Sequence, residues 1–88
     1  METPMPLFLV LAMRRPQFDP AVVPAHKQFL DALRAEGRLE RSGPFGDQTG
    51  GAYLMRAADL DDARRVAFSD PAHTSGGWDI TVYEWLAR

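Results

Sequence analysis

Residues 24–44 read PAHKQFLDALRAEGRLERSGP, and the rest of the chain is organised around them. Val22, His26, Phe29, Leu30 and Leu33 recur at three- and four-residue steps and form one apolar stripe of a helix. Lys27, Gln28, Asp31 and Ala35 fall on the opposite side. Gly37 ends the helix, because glycine takes the left-handed position after a helix without a Cβ clash. A strand follows from Leu39 to the Gly43-Pro44 pair. One residue breaks the pattern: His26, a polar ring on the apolar stripe. A buried imidazole needs a partner for at least one nitrogen. That partner makes it either a core histidine or an active-site histidine, and the pattern alone leaves both open.

The elements on either side have simple local signatures. Leu7 to Met13, LFLVLAM, is apolar on both alternating faces and stops at Arg14-Arg15-Pro16. It is expected to be a central strand covered on both sides. Asp19-Pro20 has the form of a helix start, with Asp as the cap and Pro at the first position. The main helix is expected from about Val22 or Pro24 to Glu36. Phe45 to Gly51, FGDQTGG, reads as a hairpin connection, and Ala52 to Ala57 as a third strand. Asp59 caps a second helix whose apolar side is Leu60, Ala63, Val66 and Ala67. That helix should end near Asp70, because proline at 71 disfavours helical geometry in the residue before it. Residues 72–77, AHTSGG, read as a loop. Trp78 to Leu86 reads as the last strand, with Ile80, Val82 and Leu86 on one face and Thr81, Tyr83 and Trp85 on the other.

The order is therefore β-α-β-β-α-β, an α+β fold of the ferredoxin-like type with two helices on one face of a four-stranded antiparallel sheet. Right-handed crossovers put the first and third strands in the centre. The other face of the sheet keeps enough apolar side chains to mark an interface, so a homodimer is expected.

This topology brings distant residues to one rim. The start of the first helix lies beside the end of the second, which places His26 near Asp70. Arg14, the Ser42-Gly43-Pro44 strand end and the Gly50-Gly51 pair end there too. An aspartate bonded to one imidazole nitrogen fixes the tautomer and leaves the other free for a proton. His26 and Asp70 are accordingly the candidate catalytic pair, and Ser42, Gly43 and Arg14 the candidate substrate contacts. Asp70 has a plainer reading as a helix-stop or turn residue. Ser42 lacks the G-x-S-x-G setting of a hydrolase nucleophile. His26, His73 and Asp70 match no recognised metal-ligand spacing, so no metal is expected.

Composition narrows the classes. The chain has 88 residues, which implies one domain, 1–88, with residues 1–6 as a flexible N-terminal tail. It is 45% hydrophobic and 25% charged, and its formal net charge is −2 with scattered basic residues. That argues against nucleic acid, which favours a concentrated basic face. There is no cysteine, so thiolate chemistry is excluded, and a reducing cytoplasmic location is expected. The apolar run at Leu7–Met13 is far short of the ~20 residues a membrane span needs. METPMP before it carries no positive charge, and with Arg14-Arg15-Pro16 after it the run does not make a secretory signal.

The sequence resembles the YciI-like (YCII-related) family of small domains. The matching features are the apolar first strand, PAHKQFLDALRAEGRLERSGP, ADLDDARRVAFSDPAH and the aromatic-rich last strand. A helix-borne histidine, a turn like Glu36-Gly37-Arg38-Leu39, a small residue before Gly43-Pro44 and an Asp-Pro closing the second helix are typical of that family. The resemblance implies a dimeric α+β barrel, two ferredoxin-like sheets packed face to face. It also implies a His-Asp site, which falls on His26 and Asp70. It further implies acid/base chemistry without metal or organic cofactor on small, often hydroxylated aromatic or lactone compounds. The alternatives are a non-catalytic module that binds a small ligand or a partner domain in the same cleft, and a cofactor-free monooxygenase with a larger apolar cavity.

Overall fold

The computed structural model describes residues 5–88. Strand β1 spans Leu7–Arg14, helix α1 Val23–Ala35, β2 Leu39–Pro44 and β3 Gly50–Arg56. Helix α2 spans Leu60–Ala67, a one-turn helix α3 Pro71–Thr74, and β4 Trp78–Glu84. The four strands form one antiparallel sheet in the order β2-β3-β1-β4, so the first and third strands are central, as the sequence implies.

The alternation of β1 decides what each face does. Phe8, Val10 and Ala12 point under the helices and are buried, with Tyr53, Met55, Ile80 and Val82 beside them. Leu30 and Leu33 of α1 and Ala63 and Ala67 of α2 close that core from above. The two alanines have no exposed surface. Their small side chains let α2 lie close to the sheet. Leu9, Leu11 and Leu54 lie on the opposite face and are only half covered, next to exposed Tyr83 and Trp85.

Helix ends follow local chemistry. Asp19 caps a single 3-10 turn at Pro20–Val22 by accepting from the Ala21 amide at 2.9 Å, and α1 continues from it. At the other end of α1, the Arg38 amide donates to the Leu33 carbonyl at 2.9 Å and the Gly37 amide to Arg34 at 3.0 Å. With Gly37 at φ +74° this is a Schellman closure. Asp59 accepts from the Asp62 amide at 2.8 Å and starts α2. Asp62 accepts in turn from the Ala58 amide and from Arg38, which ties the start of α2 to the beginning of β2. The Ala58 amide is the chief reason the Asp62 carboxyl sits below the ordinary carboxylate range.

Several boundaries differ from the sequence reading. The stretch 72–77 is not all loop: Pro71–Thr74 forms one helical turn capped by Asp70. Asp70 therefore opens α3 and does not close α2, whose cap is Phe68. Strand β3 begins at Gly50, two residues earlier than the glycine pair suggests. A Cβ on Gly50 would stand 2.2 Å from the Ala12 carbonyl oxygen, and one on Gly51 2.7 Å from that of Gly43. The pair serves close strand pairing rather than a loop. Strand β4 stops at Glu84, and Leu86 is 83% exposed instead of joining Ile80 and Val82. The expected tail falls on residues 1–4, outside the described residues, and on 5–6, which are tied down. The Met5 carbonyl accepts from Arg56 and the Pro6 carbonyl from the Ala57 amide.

Replacing Gly37 by Val should cost about 1 kcal/mol or more, since a β-branched residue fits φ +74° poorly. A urea denaturation midpoint equal to that of the parent protein would contradict the closure described here.

Candidate active site

The site is assembled from four parts of the chain. The first turn of α1 supplies His26 and Lys27, and β1 ends on Arg14. The β2–β3 hairpin brings Ser42, Gly43 and Pro44 beside Gly50 and Gly51. Trp78 opens β4. These residues, with Ala12, Val23, Leu30, Ala52 and Tyr53, surround a cavity of about 390 Å³.

His26 Nδ1 lies 2.8 Å from Asp70 Oδ2 and 2.9 Å from Oδ1. A carboxylate only accepts, so Nδ1 carries the proton and donates it to Asp70. Asp70 has no exposed surface, while the imidazole is 19% exposed on the cavity side. Asp70 Oδ1 accepts a further bond from the Ala72 amide at 2.8 Å. The aspartate is thus fixed by its own capping role before it orients the histidine. With Nδ1 engaged, Nε2 is the nitrogen left for a ligand.

The walls are aromatic and the mouth is cationic. The Trp78 ring lies within 24° of parallel to His26, with centroids 6.3 Å apart, and Phe18 packs edge-on against Trp78 at 4.7 Å. The Arg14 guanidinium lies 4.2 Å over the Phe18 ring. That contact holds an exposed cation at the cavity rim. Ser42 also borders the cavity, and its hydroxyl accepts from Arg34 at 3.4 Å.

Of the residues named from the sequence, His26, Arg14, Ser42 and Gly43 border the cavity, and Asp70 stands behind it, bonded to His26. His73 does not: it is exposed, packs on Phe68 with ring centroids 4.7 Å apart, and does not border the cavity. Among the described residues no group of three or more His, Cys, Asp or Glu side chains is arranged to hold a metal.

Lys27, Tyr53 and Trp78 escaped the sequence reading as site residues. Lys27 lies on the polar side of its helix by period and is exposed; near the start of α1 that side reaches the cavity mouth. Tyr53 falls in step with Met55, and Trp78 with Ile80 and Val82, so both have the period of core residues and carry no local mark of a pocket.

The model of the YCII-related domain matches residues 6–86. The chain belongs to this family. A YCII-related relative, the uncharacterized protein YjpA of Bacillus subtilis (strain 168), is 43% identical over 81 residues, which is 92% of this chain and 95% of the relative. Two solved structures share the fold. One is 5-chloro-2-hydroxyhydroquinone dehydrochlorinase (TftG) from Burkholderia phenoliruptrix AC1100, in complex with 2,5-dihydroxybenzoquinone. It superposes with a TM-score of 0.74 at 23% identity, over 93% of this chain and 95% of that one. The other is muconolactone isomerase, with a TM-score of 0.72 at 17% identity, over 93% and 90% of the two chains. The YCII-related chain described here accordingly has the fold of the dimeric α+β barrels, with four antiparallel strands and helices on one face.

Proposed function

We propose that the cavity is the active site of an enzyme that performs acid/base chemistry on a small, single-ring oxygenated compound, without metal or organic cofactor. The observation that carries this reading is His26 on the wall of a cavity of about 390 Å³, with one ring nitrogen engaged by the buried Asp70 behind it and the ring reachable from the cavity. That volume lies at the small end of ligand sites, whose range is ~300–1,000 Å³.

In this reading His26 Nε2 takes a proton from a carbon- or oxygen-bound position of the substrate and returns it at another, or to the leaving group. Such a proton transfer is shared by elimination, isomerisation and hydrolysis. Asp70 holds the proton of the neutral ring on Nδ1 and stabilises the imidazolium that forms when Nε2 takes a proton. Arg14 supplies positive charge at the rim for an oxyanion, and Lys27 adds to it. Ser42 and the backbone at Gly43 hold a substrate oxygen. Trp78 offers a flat face to a ring. The ligand bound by the dehydrochlorinase of the same fold, a dihydroxylated quinone, is of this size and chemistry.

The assembly belongs to the same proposal. Leu9, Leu11, Leu54, Tyr83 and Trp85 leave an apolar surface on the face of the sheet away from the helices. A second copy packed face to face would cover it, as the barrel class requires. A further hollow of about 250 Å³ is bordered by Leu9, Arg41, Leu54 and Trp85 and shares Ser42, Gly43, Ala52 and Tyr53 with the candidate site. The second copy would then also close the strand-edge side of the cavity. The site is read as working inside the cell, in the cytoplasm, consistent with a cysteine-free chain.

The first test is a turnover screen over hydroxylated benzoquinones, hydroquinones and lactones. On any substrate found, His26→Ala should abolish turnover while ligand binding persists. Asp70→Asn should lower kcat by ~100-fold or more, since the amide can donate to Nδ1 and reverse the tautomer. Wild-type binding with no turnover of any compound would favour a binding module instead. Unimpaired turnover in His26→Ala would reject the mechanism.

Assembly is tested separately by light scattering at micromolar concentration. A dimer mass is expected, with an interface of at least ~1,200 Å² in total. Trp85→Asp should shift it to monomer, and a monomeric parent protein would overturn the face-to-face reading.

A further inference from the structure

Tyr53 has no part in the proton chemistry above, and its ring packs in the core, yet packing does not explain its hydroxyl. It is 2% exposed, borders the cavity from β3, and its hydroxyl has no hydrogen-bond partner among the described residues. A buried hydroxyl without a partner is a burden on stability, and phenylalanine would fill the same space without it. The burden makes sense where the hydroxyl is used by something the folded chain does not itself supply.

The surroundings say what that would be. Tyr53 pairs with Ser42 across β2 and β3, and pleat geometry puts the two side chains on the same side of the sheet. Both border the cavity. The Tyr53 ring centroid is 6.4 Å from that of His26 and 6.5 Å from that of Phe29, so helix and strand fix the phenol in place. Burial, and secondarily the charge of Asp70, push its ionisation far upward. The phenol therefore stays protonated and can donate, and it is excluded as a base or nucleophile.

We infer that Tyr53 is a substrate-binding residue whose hydroxyl donates a hydrogen bond, from the sheet floor of the cavity, to an oxygen of the ligand held beside His26. This rests on the acid/base reading of the site and deepens it. The ligand class becomes ring compounds with an acceptor oxygen (a quinone carbonyl, an enolate or a phenolate) directed at the sheet, and analogues lacking that oxygen are disfavoured. Arg14 and Lys27 at the mouth and Tyr53 at the floor then hold oxygens at separated points of one ring, which orients it against Nε2.

Tyr53→Phe tests the inference with two readouts. In the free protein the melting temperature should equal or exceed that of the parent, because the change removes an unpartnered buried hydroxyl. Binding of 2,5-dihydroxybenzoquinone, followed by calorimetry, should weaken by ~10-fold or more. Equal affinity in the two proteins would overturn the inference. So would a melting temperature lowered by more than about 5 °C, a shift that corresponds to a lost structural bond in a domain of this size. A parent protein that binds no member of the hydroxylated quinone panel would reject the ligand class instead. The melting comparison then decides alone: a value at or above the parent upholds the unpartnered donor, and a lower one overturns it.

Discussion

A carboxylate with no exposed surface is costly unless its oxygens are occupied, and in this chain the occupied carboxylate is Asp70. Two donors meet it: the Ala72 amide, which it caps, and His26 Nδ1. The first fixes the aspartate to the turn between α2 and α3, and the second fixes the start of α1 to that turn. One side chain therefore sets the relative position of the helices and the orientation of the imidazole. The same contact reaches the cavity, because the ring that Asp70 holds is part of its lining. Structure and proposed chemistry rest here on a single interaction, so changes at Asp70 should be judged by variants that keep its shape.

Much of this was legible in the sequence because the signals are local. The continuous apolar run of residues 7–13, the aspartate caps at 19 and 59 and the glycine at 37 each act over a few residues, and β1, the two capped turns and the end of α1 stand where those signals fall. The meeting of His26 with Asp70 was legible for another reason. Once the order β-α-β-β-α-β is known, chain direction decides which helix ends are neighbours. Asp70-Pro71 shows where the reading stopped short. It has the same form as Asp19-Pro20, a cap followed by a first-turn proline, but the proline also disfavours helical geometry at Asp70, and that effect alone reads as the stop of α2. A single helical turn suffices when its cap also has a buried partner.

The missed residues share a different cause. Strand alternation reports which face Tyr53 occupies but not whether its hydroxyl finds an acceptor. Lys27 is a solvent-facing residue by helical period, and only the opening between α1 and the β2–β3 hairpin turns its surface into a cavity rim. Gly50 and Gly51 read as a loop because glycine marks turns far more often than close strand contacts, and the Ala12 and Gly43 carbonyls that require them are distant in sequence. Each of these depends on what the other elements place nearby, which periodicity cannot report.

The central claim is that Asp70 holds His26 with its proton on Nδ1, leaving Nε2 open to the cavity. Nitrogen-15 NMR of the imidazole in the neutral ring reads this directly. The account predicts a protonated Nδ1 and an unprotonated Nε2 in the parent protein, with the Nε2 resonance moving when 2,5-dihydroxybenzoquinone is added. In Asp70→Asn the two nitrogens should exchange roles. A parent protein with the proton on Nε2, or a tautomer indifferent to the loss of the Asp70 charge, would contradict it.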